Sequence, residues 1–221
     1  MDQIKFFIDF DGTITRTDVV DLVLQRFSKD GWQEAEKSWI QGRIGSRECL
    51  TRQIGSVSAT KEDVRCLLKE VEVDPYFVSF WKKTRNLGIP IVVVSDGFDF
   101  IIREIFGRLS SEAGGGILRT PLFSNRLAWV GKKVKASFSK GPLCEHGCAN
   151  CKERVIRKLR KKGDRIIFIG DGWSDRFAAS VSHLTFAKGR LLKYCCEHRV
   201  PHRAYSSFKE VEEWLKDNIS C

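Results

Sequence analysis

Three short apolar runs along the chain share one property: each ends in a small or acidic residue next to glycine. They are Ile4–Ile8 leading to Asp9-Phe10-Asp11-Gly12, Ile91–Val94 leading to Ser95-Asp96-Gly97, and Ile166–Ile169 leading to Gly170-Asp171-Gly172. Their β-branched and aromatic residues do not alternate with polar ones, which is the pattern of strands covered by helices on both faces. Helical periodicities separate them, as in Pro75–Leu87, Phe98–Phe106 and Lys152–Lys162. Strand, helix, strand order with right-handed crossovers predicts an α/β fold, a doubly wound parallel, Rossmann-like sheet. Ligands of such sheets bind beyond the carboxyl ends of the strands, so the three polar termini converge on one crevice.

Roughly 80 residues separate the first two strands, far more than a crossover needs. Within them Asp18–Phe27, Gln33–Gln41, Arg47–Ile54 and Lys61–Val71 read as helices, divided by Gly31, Gly42, Gly45 and the Ser56–Thr60 stretch. The expectation is a helical cap over residues 17–72, inserted into a core of residues 1–16 and 73–221. Beyond Gly114-Gly115-Gly116, short alternating runs from Leu118 to Lys135 suit a β-hairpin flap.

Composition narrows the class. With 42% hydrophobic residues in 221, the chain can bury a sizeable core, and its apolar stretches are too short to span a membrane. The first strand starts at Ile4 and leaves no room for a leader, so a cytoplasmic location is expected. The net charge of +10 favours phosphorylated metabolites or polyanions. The densest basic run, Arg154 to Arg165, reads as one helix burying Val155, Ile156 and Leu159, with its cations on a solvated face rather than a nucleic-acid patch. A small phosphorylated molecule is therefore the expected partner, with no membrane; the sequence fixes no oligomeric state.

Phosphoryl transfer needs a nucleophile in line with phosphorus, cations on the non-bridging oxygens and an acid for the leaving alkoxide. Asp9 and Asp11 lie two apart at a strand end, so one can attack while the other moves the proton. Carboxylates so close need a hard cation, and Mg²⁺ held by Asp9, Asp11, Asp171 and Asp175 answers that need. Ser95, Asp96, Gly97 and Gly12 supply the turns expected to hold phosphate oxygens. Lys152 opens the helix before the third strand and is the preferred phosphate-binding cation, over Lys132, Lys133, Lys135 and Lys140 on the flap.

Asp9-Phe10-Asp11-Gly12-Thr13, Ser95, Lys152 and Gly170-Asp171-Gly172-Trp173-Ser174-Asp175 together resemble the four motifs of the haloacid dehalogenase superfamily. The resemblance spans nearly the whole chain and includes the cap placement of its phosphoserine phosphatase-like subgroup. It implies that Asp9 is phosphorylated, that Asp11 is the acid/base and lends its backbone carbonyl to Mg²⁺, and that Ser95 and Lys152 bind phosphate. Dehalogenases of the superfamily lack the second Asp, so Asp11 points to phosphate chemistry. Within the subgroup, Arg47-Glu48 with Arg52, and the cysteines ahead of Lys152, resemble the methionine-salvage phosphatases, although Ser95-Asp96-Gly97 replaces their Ser-Gly-Gly. Phosphoserine phosphatases clamp their substrate with a cap glutamate and arginine, where this chain aligns Asp18 and Gln53. Substrate choice is thus expected from Asp18, Arg47 and Arg52. A phosphomutase is a second reading, and a basic nucleic-acid-binding module on a degenerate scaffold a third, from another class.

Eight cysteines pose a separate question. Cys144, Cys148 and Cys151, with His146 among them, and Cys195-Cys196 later, fit reduced, partly buried thiols first, structural Zn²⁺ second and a disulfide last.

Overall fold

A computed structural model describes residues 3–29, 31–139 and 144–218. Lys140 lies outside them. One sheet runs through the molecule in the order β4-β3-β2-β1-β5-β6-β7. Its strands are β1 (Gln3–Ile8), β2 (Ile91–Phe98), β3 (Leu122–Val130), β4 (Lys133–Ser137), β5 (Asp164–Gly170), β6 (Leu184–Ala187) and β7 (His202–Ala204). Every neighbouring pair is parallel except β3 with β4. The order makes β2, β1 and β5 adjacent, so the three strand ends singled out by their glycines and acids lie side by side.

Both faces are covered, as the unbroken apolar runs require. Phe6 and Ile8 pack under α5 (Phe77–Asn86), α6 (Asp99–Leu109) and α10 (Phe208–Asn218), while Phe7, Val92, Val94 and Phe168 pack under α7 (Lys152–Leu159), α8 (Arg176–Ser180) and α9 (Gly189–Glu197). Phe6 meets Phe80 edge to face at 5.1 Å. Truncating such a ring to alanine costs about 3–5 kcal/mol.

Four helices intervene between β1 and α5: α1 (Val19–Phe27), α2 (Trp32–Ile40), α3 (Ser46–Gly55) and α4 (Lys61–Leu68). Asp18 caps α1 by accepting from the Asp21 N–H at 3.0 Å, and Thr60 and Asp63 form a reciprocal capping box on α4. The chain leaves and rejoins the sheet layer along neighbouring paths. Thr15 bridges Val73, the Arg16 N–H donates to Glu72 O at 3.0 Å and the Asp74 N–H to Ile14 O at 2.9 Å.

Three elements differ from expectation. The basic helix stops at Leu159, because the buried Lys5 ammonium takes the Leu159 carbonyl at 3.0 Å and Gly163, at φ +85°, turns the chain into β5. Lys161 and Lys162 are therefore outside it, although Val155, Ile156 and Leu159 do pack inward. Helix α4 ends at Leu68 rather than Val71, where the Arg108 guanidinium donates to the carbonyls of Leu68 and Lys69 at 2.7 Å each. The hairpin is no free flap: β3 pairs with β2 and carries β4 as the sheet's edge.

Candidate active site

The ends of β1, β2 and β5 each deliver a different group. At β1, the Lys152 ammonium contacts Asp9 Oδ1 at 2.7 Å and Asp175 Oδ1 at 2.6 Å and donates to Ser174 Oγ at 3.2 Å. Lys152, Asp9 and Asp175 are all buried. Asp11 turns away from that cluster: its Oδ1 accepts the Val19 N–H at the start of α1 at 3.2 Å, and its Oδ2 accepts the Ser95 hydroxyl at 3.2 Å. The two carboxylates thus face different surroundings although they are two residues apart.

At β2 the pairing with β3 shifts register between Val94 and Phe98. The resulting irregularity frees Ser95 from the ladder, a common use of bulges beside sites. The Gly97 N–H donates to Ser95 Oγ at 2.8 Å, and a Cβ on Gly97 would stand 2.4 Å from Asp11 Oδ2. At β5, Asp171 accepts the Thr13 hydroxyl at 2.8 Å, and Asp175 Oδ2 accepts the N–H groups of Asp171 and Gly172 at 3.1 and 3.0 Å. Gly12 adopts φ +70°, and a Cβ there would lie 2.4 Å from Asp171 Oδ2. Only glycine allows that approach.

Asp9, Asp171 and Asp175 place ligand oxygens within 4.8 Å of one another. Burial, then the Asp175 charge, hold the Asp9 carboxyl well above its usual range. Burial and Asp175 push Asp171 up to about 6, and burial with Asp18 pushes Asp11 up to about 7. For Lys152 burial acts to lower the pKa, but Asp175 and Asp9 outweigh it and keep the ammonium charged. The Lys152 ammonium, with Lys188 near Asp171, is outnumbered by the carboxylates here. The excess of negative charge and the all-oxygen donor set fit a hard divalent cation such as Mg²⁺.

A family model for haloacid dehalogenase-like hydrolases matches residues 6–180. The chain belongs to this family. Among curated relatives of this hydrolase, the bifunctional enzyme MtnB/MtnX of Bacillus licheniformis is 29% identical over 215 residues, 95% of this chain and 48% of the relative, so the chain spans about half of that protein. The 2-hydroxy-3-keto-5-methylthiopentenyl-1-phosphate phosphatase of Bacillus pumilus is 29% identical over 227 residues, covering 96% of this chain and 95% of the relative. Among solved structures, a phospho-aspartyl intermediate analogue of phosphoserine phosphatase superposes with TM-score 0.72 at 19% identity, over 98% of this chain and 100% of that one. That likeness is one of fold.

A cavity of about 570 Å³ separates the strand ends of this hydrolase from α2 and α3. Asp18 opens onto it, but Arg47 and Arg52 do not. On α3 the residues facing the cavity are Ser46, Cys49, Leu50 and Gln53, at helical spacing, which leaves both arginines on other faces. Arg52 pairs with Glu48 in solvent, and Arg47 lies over the Phe138 ring and donates to Ser139 O. Asp96 also departs from expectation. It lines the cavity, but its Oδ2 accepts the Ser46 hydroxyl at 2.7 Å and its Oδ1 is buried, so its carboxylate is tied to α3 rather than free to meet a phosphate. A carboxylate would in any case repel that anion.

Sequence reasoning overlooked Trp32, Ile40, Leu50 and Arg190, which also line the cavity. A signal for Arg190 was present: β6 ends at Ala187 and is followed by Lys188-Gly189, a fourth apolar run leading to a glycine. Asn150 was overlooked as well. Its side-chain amide ties the loop before α7 to β2 and β3 through Ser95 O at 3.0 Å and Phe123 O at 2.8 Å.

Proposed function

We propose that this chain is a Mg²⁺-dependent phosphomonoesterase that works through an aspartyl-phosphate and acts on 2-hydroxy-3-keto-5-methylthiopentenyl-1-phosphate or a close analogue. Family membership supplies the hydrolase, and the relatives' names supply the phosphate ester. The observation that carries the mechanism is the division of labour between neighbouring carboxylates: Asp9 sits in the Lys152–Asp175 cluster, while Asp11 is turned to Ser95 and the Val19 N–H.

In the proposed reaction an Asp9 oxygen attacks phosphorus, and the alkoxide leaves with the proton of Asp11. Asp11, now a carboxylate, takes a proton from water, whose oxygen attacks the phosphorus and returns Asp9 as inorganic phosphate departs. Lys152 neutralises phosphoryl oxygens, held in place by Asp175, both of whose oxygens are already engaged. The Ser95 hydroxyl takes another oxygen by turning from Asp11, whereas the Gly97 N–H stays on Ser95 Oγ and the Gly12 N–H on Thr15 Oγ1 and Thr17 O. Mg²⁺, when bound by Asp9, Asp171 and the backbone of Asp11, supplies charge neutralisation for the transferring group. The half-buried rings of Trp32 and Trp39, with Leu50 beside them, offer an apolar wall suited to a methylthio tail.

In this reading residues 17–72 form a cap whose helices select the substrate and residues 1–16 and 73–221 form the catalytic core. A magnesium-dependent assay over phosphorylated metabolites tests the proposal. The methylthiopentenyl phosphate should exceed p-nitrophenyl phosphate in kcat/KM, and quenched enzyme should carry label from a ³²P-substrate that Asp9→Asn loses. Equal labelling of Asp9→Asn, or full turnover after exhaustive chelation, would overturn the mechanism; a better metabolite would replace the substrate alone.

A further inference from the structure

Beside the strand ends, and outside the chemistry assigned above, three thiols converge. The Sγ atoms of Cys144, Cys148 and Cys151 lie within 4.8 Å of one another, and none is in a disulfide. We infer that Cys144, Cys148 and Cys151 bind one Zn²⁺ ion, which fixes the loop carrying Lys152 to the helical insertion.

The geometry is close to what the ion requires. Zinc–sulfur bonds of about 2.3 Å in a tetrahedron place sulfurs about 3.8 Å apart, a separation compatible with three sulfurs that all lie within 4.8 Å of one another. The backbone is already wound around the first sulfur. Gly147 sits at φ +60°, the Gly147 N–H donates to Cys144 O at 2.9 Å, and the Cys148 N–H points at Cys144 Sγ at 3.3 Å. Cys151 is the N-cap residue of α7, where the helix dipole favours a thiolate. His146 is not part of the set. Its ring stacks on Phe177 at 3.6 Å and its Nε2 lies 3.3 Å from Glu145. Three protein sulfurs therefore leave the fourth position to a solvent ligand. Binding releases the thiol protons to solvent, and no electron moves.

The same loop makes three long-range attachments. Gly147 O accepts the Arg47 N–H at 3.1 Å, the Ala149 N–H donates to Ser46 Oγ at 2.9 Å, and Asn150 holds Ser95 O and Phe123 O. Gly45 packs so tightly on it that a Cβ would lie 2.4 Å from Gly147 O. Lys152 follows Cys151 directly. A cation on the three sulfurs would therefore hold one end of α3 and the phosphate-binding lysine in a single frame, without touching substrate.

The test uses full-length, untagged protein purified under reductant without added metal. Elemental analysis should find about one zinc per chain, and Cys148→Ser should lower that at least tenfold, while the exposed-cysteine control Cys66→Ser keeps it. Titration with a mercurial should release zinc in step with three thiols, and Tm should fall by roughly 5–10 °C on zinc removal. Should Cys148→Ser fail to fold, zinc-depleted wild type reconstituted with Co²⁺ must develop a thiolate-to-cobalt charge-transfer band. Folded wild type that carries no zinc and takes up no Co²⁺ at thiolates overturns the inference. So does Cys148→Ser with full zinc, or a native mass showing two hydrogens lost to a disulfide among these cysteines.

Discussion

At the scale of single residues, the site depends on where side chains are absent as much as on where they are present. Gly12 combines a left-handed backbone with a gap of 2.4 Å to Asp171. Gly12→Ala should therefore displace Asp171, raising the Mg²⁺ concentration for half-maximal activity and lowering kcat at least tenfold. The backbone strain itself costs only about 1–2 kcal/mol, so the variant should stay folded. Measuring the metal dependence and Tm together separates the two effects, and an unchanged metal requirement would count against Asp171 as a ligand. Asp11→Asn should still be phosphorylated by p-nitrophenyl phosphate, whose leaving group needs no acid, but should release phosphate slowly. A rapid burst followed by a slow steady state is the expected trace; equal rates in both phases would remove Asp11 from its role. These positions were legible because strand ends in a parallel sheet must meet. The destination of Asp96 was not, since it depends on Ser46, 50 residues away in sequence.

At the scale of elements, helix phase decides which side chains face the substrate. The cavity-facing stripe of α3 runs through Ser46, Cys49, Leu50 and Gln53, and Arg47 and Arg52 fall off it. Arg47→Ala and Arg52→Ala should thus leave the ratio of kcat/KM between the metabolite and p-nitrophenyl phosphate within about twofold of wild type, below one hydrogen bond's worth. Trp39→Ala should change that ratio by about tenfold through KM, the effect of losing part of a buried ring contact. The reverse pattern would return specificity to the arginines. Arginines attract attention by type, whereas only packing reveals which face of a helix is covered. The four inserted helices were readable from their caps and glycines, within a few residues at each end. Strands β6 and β7, of four and three residues, carry too few side chains to show a period.

At the scale of the whole molecule, a buried ion pair ties two neighbouring central strands together. Lys5 on β1 meets Asp164 on β5 at 2.7 Å, and Asp164 also accepts the Lys161 N–H at 2.8 Å. The hydrogen bond from Lys5, and next that from Lys161, hold the Asp164 carboxyl below its ordinary value. A folded-state pKa below the unfolded one, about 3.9, means that this contribution to stability is complete above roughly pH 5 and is lost as pH falls through the folded value. Melting curves from pH 7 to 3 should show it as a fall in Tm below about pH 4 that is smaller in Asp164→Asn; parallel profiles would deny the linkage. The adjoining paths of residues 14–16 and 72–74 have a different consequence, for chain topology. Because entry and exit are neighbours, the insertion imposes almost no closure constraint on the sheet, much as a long branch hangs from a single node. Replacing residues 17–72 with a short glycine-containing turn should preserve the register of β1 against β2 and β5, and would yield an open scaffold whose phosphoryl chemistry is exposed to substrates too large for the present cavity.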